Sequence, residues 1–293
     1  MKGRSISLIL CFLLAFVLAG CGGETTPTEE TTPAEATAAA LDPAIAEALQ
    51  VSEDMADDLS AGVQDLDLTS EQEHSALRVI QTFGNTQELY VLLEMTFDET
   101  VATPLEENAP TPDTYTLLGQ EESGYRNTRR LFQPLSYEGN TMRVLCYFLH
   151  SGGPWPEGDL QLTVRDLAYY NAEGEATPAN QDTHTLTWTP TNQGTIFTGD
   201  IVTADGSTLG DVTLSPFSLQ FSLDDTEKED FFQVTDTIAL LYQDGSTKQV
   251  GHHFSGGGSD SPPEYLHGSR TFSPPEDLSQ VTGVQIDGHT VTF

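Results

Sequence analysis

The sequence predicts an all-β protein in which two antiparallel β-sandwiches lie in tandem, preceded by a short amphipathic helix. Three observations predict it. From Ser75 onward, apolar and polar residues alternate over short runs, so successive side chains fall on opposite faces of strands. Asp-Gly pairs at 205–206, 244–245 and 287–288 sit between such runs, where positive φ angles close hairpins at little cost. The runs follow one another at the short spacing of sandwiches, without the helical periods of βαβ units.

The N-terminal residues read as an address rather than a fold. Lys2 and Arg4 precede the apolar run Ile6–Val17, about a dozen residues, long enough for a signal segment and too short to span a bilayer. Leu18-Ala19-Gly20-Cys21 follows. It resembles the lipobox of bacterial lipoproteins. That likeness implies a signal peptide over 1–20, a diacylglyceryl group on the Cys21 sulfur and Cys21 as the mature N-terminus. Two acyl chains matter because each buried methylene contributes ~0.8 kcal/mol and one chain alone anchors only marginally. Residues 21–41 form an acidic Thr/Pro/Glu tether. Residues 22–40 hold no large apolar side chain, so they cannot offset their ordering entropy; extended at ~3.1 Å per residue they reach ~60 Å.

The helix comes next. Asp42 is a good N-cap and Pro43 suits the first helical position. Ile45 and Leu49 recur four apart, as do Met55, Leu59 and Val63, with a break expected near Val51-Ser52. In "ELYVLLEMTF", Leu89, Val91, Leu93, Met95 and Phe97 share a face. Leu160, Leu162 and Val164 do the same, as do Leu186 and Trp188, and Phe217, Leu219, Phe221 and Leu223. "RVLCYFLH" is apolar on both faces and reads as a central strand. About a dozen strands are expected in all. "TPTNQGT", residues 189–195, is the expected joint between sheet bundles. This places the helix and first sandwich in 42–191 and the second sandwich in 192–293. "SGGGSDSPPEYLHGS", residues 255–269, reads as a mobile loop.

Several segments resemble a known group. "DPAIAEAL", "ALRVIQTFGNTQELYVLLEMTF", "LTVRDLAYYNAEGE" with "LTWTP", "VTLSPFSLQFS", "IALLYQDGS" and "VTGVQIDG" occur in the order seen in extracytoplasmic proteins of clostridia-like bacteria. They are similar to the domains of unknown function in lipoproteins and in the outer parts of anti-sigma-factor-like membrane proteins. The resemblance covers roughly residues 42–293. It implies immunoglobulin-like sandwiches and no enzymatic activity. It carries no catalytic position over to this chain.

Charge narrows the partners. The chain holds 45 acidic and 11 basic residues, a formal net charge of −34. Such a surface repels nucleic acid and anionic lipid headgroups and leaves cations or a basic protein as partners. No G-x-S-x-G elbow, phosphate loop, H-E-x-x-H or paired C-x-x-C occurs, and no cofactor is expected. If Cys11 leaves with the signal and Cys21 is lipidated, only Cys146 remains, in an apolar run where an inert buried thiol is expected. His252-His253 would face opposite ways in a strand. Asp224, Asp225, Glu227 and Asp230 are the candidate calcium ligands, in a cluster that lacks the spacing of an EF-hand loop. Trp155, between two prolines, is the candidate ligand-stacking residue. The expected function is a membrane-anchored, non-enzymatic interaction or envelope-sensing module with a protein partner at the cell envelope. The alternatives are a solute- or carbohydrate-binding lipoprotein using sandwich-end loops, and an acid hydrolase.

Overall fold

The computed structural model describes residues 39–98, 109–119, 127–150, 153–170, 175–224, 231–251, 255–259 and 265–293. Helix α1 (Pro43–Leu49) starts as expected: the Asp42 carboxylate accepts from the Ala44 amide at 2.8 Å, and Pro43 fills the first turn. Gln50, in the left-handed conformation, ends it. Helix α2 (Glu53–Asp58) follows the expected break. Val63 does not continue the helical stripe; it opens a strand.

The first group of strands comprises β1 (Val63–Glu71), β2 (Ser75–Gly84), β3 (Glu88–Phe97), β4 (Thr111–Gly119), β5 (Asn127–Glu138), β6 (Thr141–His150), β7 (Leu160–Tyr170), β8 (Ala176–Pro178) and β9 (Thr183–Trp188). One sheet has the order β1-β2-β3-β6-β5; in the other, β7 pairs with β4, β8 and β9. The set β2-β3-β6-β5 opposite β4-β7-β9 is the four-against-three order of a constant-type immunoglobulin domain, with β1 as an added edge.

The second group comprises β10 (Phe197–Val202), β11 (Thr208–Leu214), β12 (Ser218–Asp224), helix α3 (Phe231–Asp236), β13 (Ala239–Tyr242), β14 (Thr247–Gln249), β15 (Ser255–Ser259), β16 (Tyr265–Thr271), β17 (Val281–Ile286) and β18 (His289–Thr292). Its sheets are β10-β11-β12-β16-β15 and β14-β13-β17-β18. The immunoglobulin order recurs, again with an extra edge strand at the start. Among the described residues, eighteen strands replace the expected dozen. The acid-rich β1 and the triple-glycine β15 escape detection because each has too few apolar side chains to set a period of two. The expected loop at 255–269 is in part the β15–β16 hairpin, held by backbone pairing from Ser255↔Ser269 to Ser259↔Tyr265.

Three cores result. Leu89, Val91, Leu93, Met95 and Phe97 of β3 fill the first sandwich with Leu160, Leu162, Val164, Leu186 and Trp188. Leu219, Phe221 and Leu223 fill the second with Leu240, Val284 and Ile286. The opposite face of β3 and β6 is also apolar, as the central-strand reading expects. Tyr90, Leu92, Leu145, Tyr147 and Leu149 meet Ile45 and Leu59 from the helical segment and Phe217 from the second group. Phe217 therefore leaves the face of Leu219 and Phe221: it sits in the β11–β12 turn and contacts the ring of Phe83 edge-on at 5.1 Å. Across the surface of the first sheet runs an alternating-charge ladder of Asp67, Arg78, Glu94, Arg143 and Asp42, with separations of 2.7 to 3.9 Å.

Only Asp287-Gly288 closes a hairpin with both φ angles positive. At the other two Asp-Gly turns only the glycine is left-handed. There the aspartate works through its side chain: Asp205 accepts from Ser207 N and Thr203 Oγ1, and Asp244 from Ser246 N.

The two sandwiches join through matching turns. Asn85 Oδ1 accepts from the Gln87 and Glu88 amides in the β2–β3 turn; Ser215 Oγ accepts from the Phe217 and Ser218 amides in the β11–β12 turn. Between them lies the Glu88 carboxylate, 1% exposed. It accepts from Tyr147 Oη at 2.8 Å, Ser218 Oγ at 2.9 Å, Asn85 Nδ2 at 3.1 Å and Ser215 Oγ. The connecting segment is pinned as well. Gln193 N donates to Ala61 O, Gly194 N to Gly84 O, and Asn192 Nδ2 to Gly62 O at 2.7 Å. A Cβ on Gly62 or Gly194 would stand 2.6 or 2.3 Å from the Gly84 carbonyl oxygen, so the approach requires glycine. Residues 38–293 form one compact unit.

Glu88→Ala would leave four buried donors without their acceptor. Its expected cost is at least ~3 kcal/mol. Urea unfolding should show the loss, with the single transition splitting in two as the sandwiches uncouple. Glu88→Gln should fall between, because it keeps an acceptor oxygen.

Candidate functional site

Between β16 and β17 the chain runs as "SPPEDLSQ", residues 273–280. Pro274 and Pro275 have no amide hydrogen to give a ladder, so this segment cannot extend either sheet. It becomes a strap along the β11–β12 turn: Phe272 N donates to Phe217 O at 2.7 Å and Glu276 N to Pro216 O at 2.8 Å. The Ser273–Pro274 bond is cis. Leu278 plugs into the second core, and Ser279 N donates to Asp277 Oδ1 at 2.8 Å.

Glu276 is the hub of the strap. Tyr242 Oη donates to its Oε1 at 2.7 Å and Lys248 Nζ to its Oε2 at 2.5 Å. Burial and the bond to Glu276 push the Tyr242 phenol up from its ordinary value. Three hollows open around the strap. One of about 270 Å³ lies among Leu240, Lys248, Val250, Arg270, Phe272 and Glu276. A second, about 290 Å³, is walled by Met55, Leu59, Phe197, Pro216 and Leu278. The third, about 310 Å³, lies by Tyr242, Asp244 and Gln280. The first carries two cations in a chain with only 11, which makes it the most distinctive concavity chemically.

A second cluster has the composition of a hydrolase but not its wiring. Ser75 Oγ donates to Asp182 Oδ2 at 2.7 Å and lies 2.9 Å from His184 Nε2. A hydroxyl has one proton. With that proton on Asp182, His184 Nε2 must carry hydrogen and donate to Ser75 Oγ. In that tautomer its Nδ1 accepts from Ser70 Oγ at 3.3 Å, while the Ser70 carbonyl oxygen, 3.2 Å from the same nitrogen, is a partner only for the tautomer or imidazolium that carries hydrogen there. A general base for serine needs a bare nitrogen facing the hydroxyl and a carboxylate on the far side of the ring. Here the carboxylate holds the serine instead. Asn180 Nδ2 and the His74 amide complete the cluster, at 3.3 and 3.0 Å from Ser75 Oγ and Asp182 Oδ2. These bonds tie β1, the start of β2 and β9 together.

Of the residues singled out from the sequence, Trp155, Cys146 and Asp224 are described. Trp155, expected as a stacking platform, is 8% exposed and belongs to the first core. Its amide donates to Thr86 O, and its ring lies 4.7 Å from that of His150. It closes the end of the sandwich, with no free face for a ligand. Cys146 is wholly buried, and burial pushes its thiol up, away from the reactive thiolate. Asp224 is exposed at the end of β12. Asp225, Glu227 and Asp230 lie outside the described residues, as do His252, His253 and Cys21. Among the described residues, no three His, Cys, Asp or Glu side chains group to hold a metal ion, and no helix is long and apolar enough to cross a membrane.

Sequence reading missed both the strap hub and the serine cluster. Pro-Pro-Glu-Asp marks a break after a strand, which was a usable signal for the strap. Nothing marks Ser75, whose partners are 107 and 109 residues away.

No family model and no curated protein matches the chain. Among solved structures, the conserved domain protein from Bacillus anthracis is similar at 12% identity, over 76% of this chain and 75% of that one, with a TM-score of 0.44. The N-terminal periplasmic domain of ScsB from Proteus mirabilis is similar at 12% identity, over 78% of this chain and 95% of that one, with a TM-score of 0.25. The fold assignment rests on the strand order itself.

Two outcomes follow from the serine cluster. Ser75 should resist a fluorophosphonate probe, read by intact-mass spectrometry; labelling at Ser75 would contradict the wiring. Burial holds His184 below its ordinary 6.5, against the opposing pull of Asp182. A lowered imidazole means that the unfolded chain takes up its proton first as pH drops. Stability should therefore fall from about pH 6.5 down through the depressed folded value and level off below it. Urea titrations at stepped pH should show a smaller fall in His184→Gln. His74 contributes with the opposite sign: its hydrogen bond to Asp98 raises it, so its contribution is lost as pH rises through the raised value.

Proposed function

We propose that the chain is a lipid-anchored extracytoplasmic lipoprotein that works by non-covalent interaction at the cell envelope. The observation that carries the reading is Leu18-Ala19-Gly20-Cys21, placed directly after an apolar run and before a tract with no large apolar residue. The parts stand in the order that lipid modification requires, and the tract holds a strongly acidic body away from an acidic membrane surface. The interaction role is supported by the weld between the sandwiches. Two domains locked through Glu88 present one fixed surface, which favours recognition of a partner by lowering the ordering cost of binding. With a net charge of −34, that partner is a basic protein surface or segment.

Cys21→Ala should abolish acyl labelling of the protein and release it from the membrane fraction into the medium. Continued retention without labelling would overturn the anchor.

A further inference from the structure

The hollow of about 290 Å³ lies where four distant stretches of the chain meet. Met55 comes from α2 and Leu59 from the turn after it; Thr195 and Phe197 come from the connecting segment and the start of β10. Pro216 belongs to the β11–β12 turn and Leu278 to the strap. The floor spans the joint, because Leu59 packs in the core beneath the helices and Leu278 in that of the second sandwich. Both are buried, and so is Pro216. Met55 and Phe197 are half-buried and form the sides, with Phe293 stacked on Phe197 at 5.1 Å. The strap wall is tied down: Glu276 N donates to Pro216 O at 2.8 Å, and Val281 N to Leu278 O at 3.1 Å. Walls held in this way give a preformed recess, which lowers the ordering cost of binding.

The rim has one sign. Glu276 and Asp277 are the ionisable residues that line the hollow, and no cation lines it among the described residues. Glu276 is engaged by Lys248 and Tyr242. The charge offered at the mouth is therefore chiefly that of Asp277, which is exposed and holds the Ser279 amide on Oδ1. Helix α2, which supplies Met55, adds to the field: Glu53, Asp54, Asp57 and Asp58 lie along its single short run, and its last turn has no base. An apolar recess under a negative rim complements an apolar side chain with a cation beside it. The same rim repels a fatty acid, and a second copy of a chain of net charge −34.

We propose that this hollow seats one large apolar side chain of a basic partner segment, with a neighbouring lysine or arginine of that segment against Asp277. The proposal rests on the reading above that the partner is basic, and adds the place where it docks. Size sets a single anchor, since about 290 Å³ lies just below the range of pockets that enclose a drug-sized ligand. One buried anchor ringed by weaker contacts is how interfaces concentrate their affinity. The unbranched Met55 lets one wall adapt to an aliphatic or an aromatic anchor.

The test uses the full chain and three capped pentapeptides: Lys-Lys-Phe-Lys-Lys, Lys-Lys-Ala-Lys-Lys and Glu-Glu-Phe-Glu-Glu. Binding is read from the methyl resonances of Met55, Leu59 and Leu278. The expected result is saturable shifts of all three with the first peptide, at least about tenfold weaker binding of the second, and none of the third. Asp277→Asn should weaken the first peptide about two- to fivefold, a difference that ~500 mM salt removes. Thr195→Trp, at an exposed position on the mouth, should occlude the hollow and abolish the shifts. The peptide series on the unaltered protein decides the matter even if a variant folds poorly. Equal binding of the alanine peptide would overturn the anchor, and equal binding of the glutamate peptide would overturn the charge. Saturable binding of the first peptide that leaves the three methyls unshifted, or survives in a folded Thr195→Trp, would overturn this hollow as the seat and leave the basic-partner reading standing. No binding of either lysine peptide up to about 10 mM would overturn both. Self-association in sedimentation that Thr195→Trp abolishes would give the hollow to a second copy and overturn the proposal too.

Discussion

A single buried carboxylate sets the relation between the two halves of this protein. Glu88 opens the second strand of the first immunoglobulin-like sandwich, and Ser218 opens the corresponding strand of the second. A carboxylate out of water costs several kcal/mol unless donors replace the lost hydration. Here the donors are hydroxyls and an amide drawn from both sandwiches. None of them is a cation, so the geometry is directional rather than merely attractive. If the halves rotate apart, the charge is left facing apolar surface. Phe217 adds the apolar part of the same restraint, reaching from the second sandwich to Phe83 and Tyr90 of the first.

The two sandwiches also repeat one plan. Each begins with an added edge strand and continues in the immunoglobulin order, to which the second sandwich adds β14 at the edge of its smaller sheet. In each, the turn before the Glu88 or Ser218 strand is closed by one side-chain oxygen accepting two backbone amides. The joint is built where the two copies of that turn meet. The short turn side chains make this possible, because Asn85 and Ser215 cap their own loops and still have a donor left for Glu88. The connecting segment then has no freedom to swing. Three glycines let it lie directly on the first sandwich.

Much of this was legible in the residues, and the remainder was not for physical reasons. Asp42-Pro43 announces a helix start because a cap and a fixed φ are local properties. The alternation in β3 and the two-sided apolarity of β6 announce strands because burial imposes a period. Val63 misled because it lies four residues after Leu59, a spacing that helices and chance share. The Ser-Gly-Gly-Gly-Ser strand has no side-chain pattern at all; only its backbone partner reveals it. Trp155 between prolines looked like an exposed ring, yet the hydrogen bond from its backbone N–H to Thr86 O ties it to the end of the sandwich. Met55, Phe197 and Leu278 stand far apart in sequence, and only the fold brings them around one hollow. Composition cannot report such convergence.

The entry of the chain into the fold has a mechanical consequence. Gln81, in the middle of β2, donates to Ala40 O at 3.0 Å and accepts from Asp42 N at 2.9 Å. Ile45, wholly buried, follows three residues later. Any tension transmitted along the chain from its N-terminal side is borne first by this clip and by the first sheet, which is tied laterally through its interior strands. A hold on the first sandwich closes the load path there and leaves the Glu88 joint unloaded; a hold on the second sandwich puts that joint in series with the clip, under the same tension.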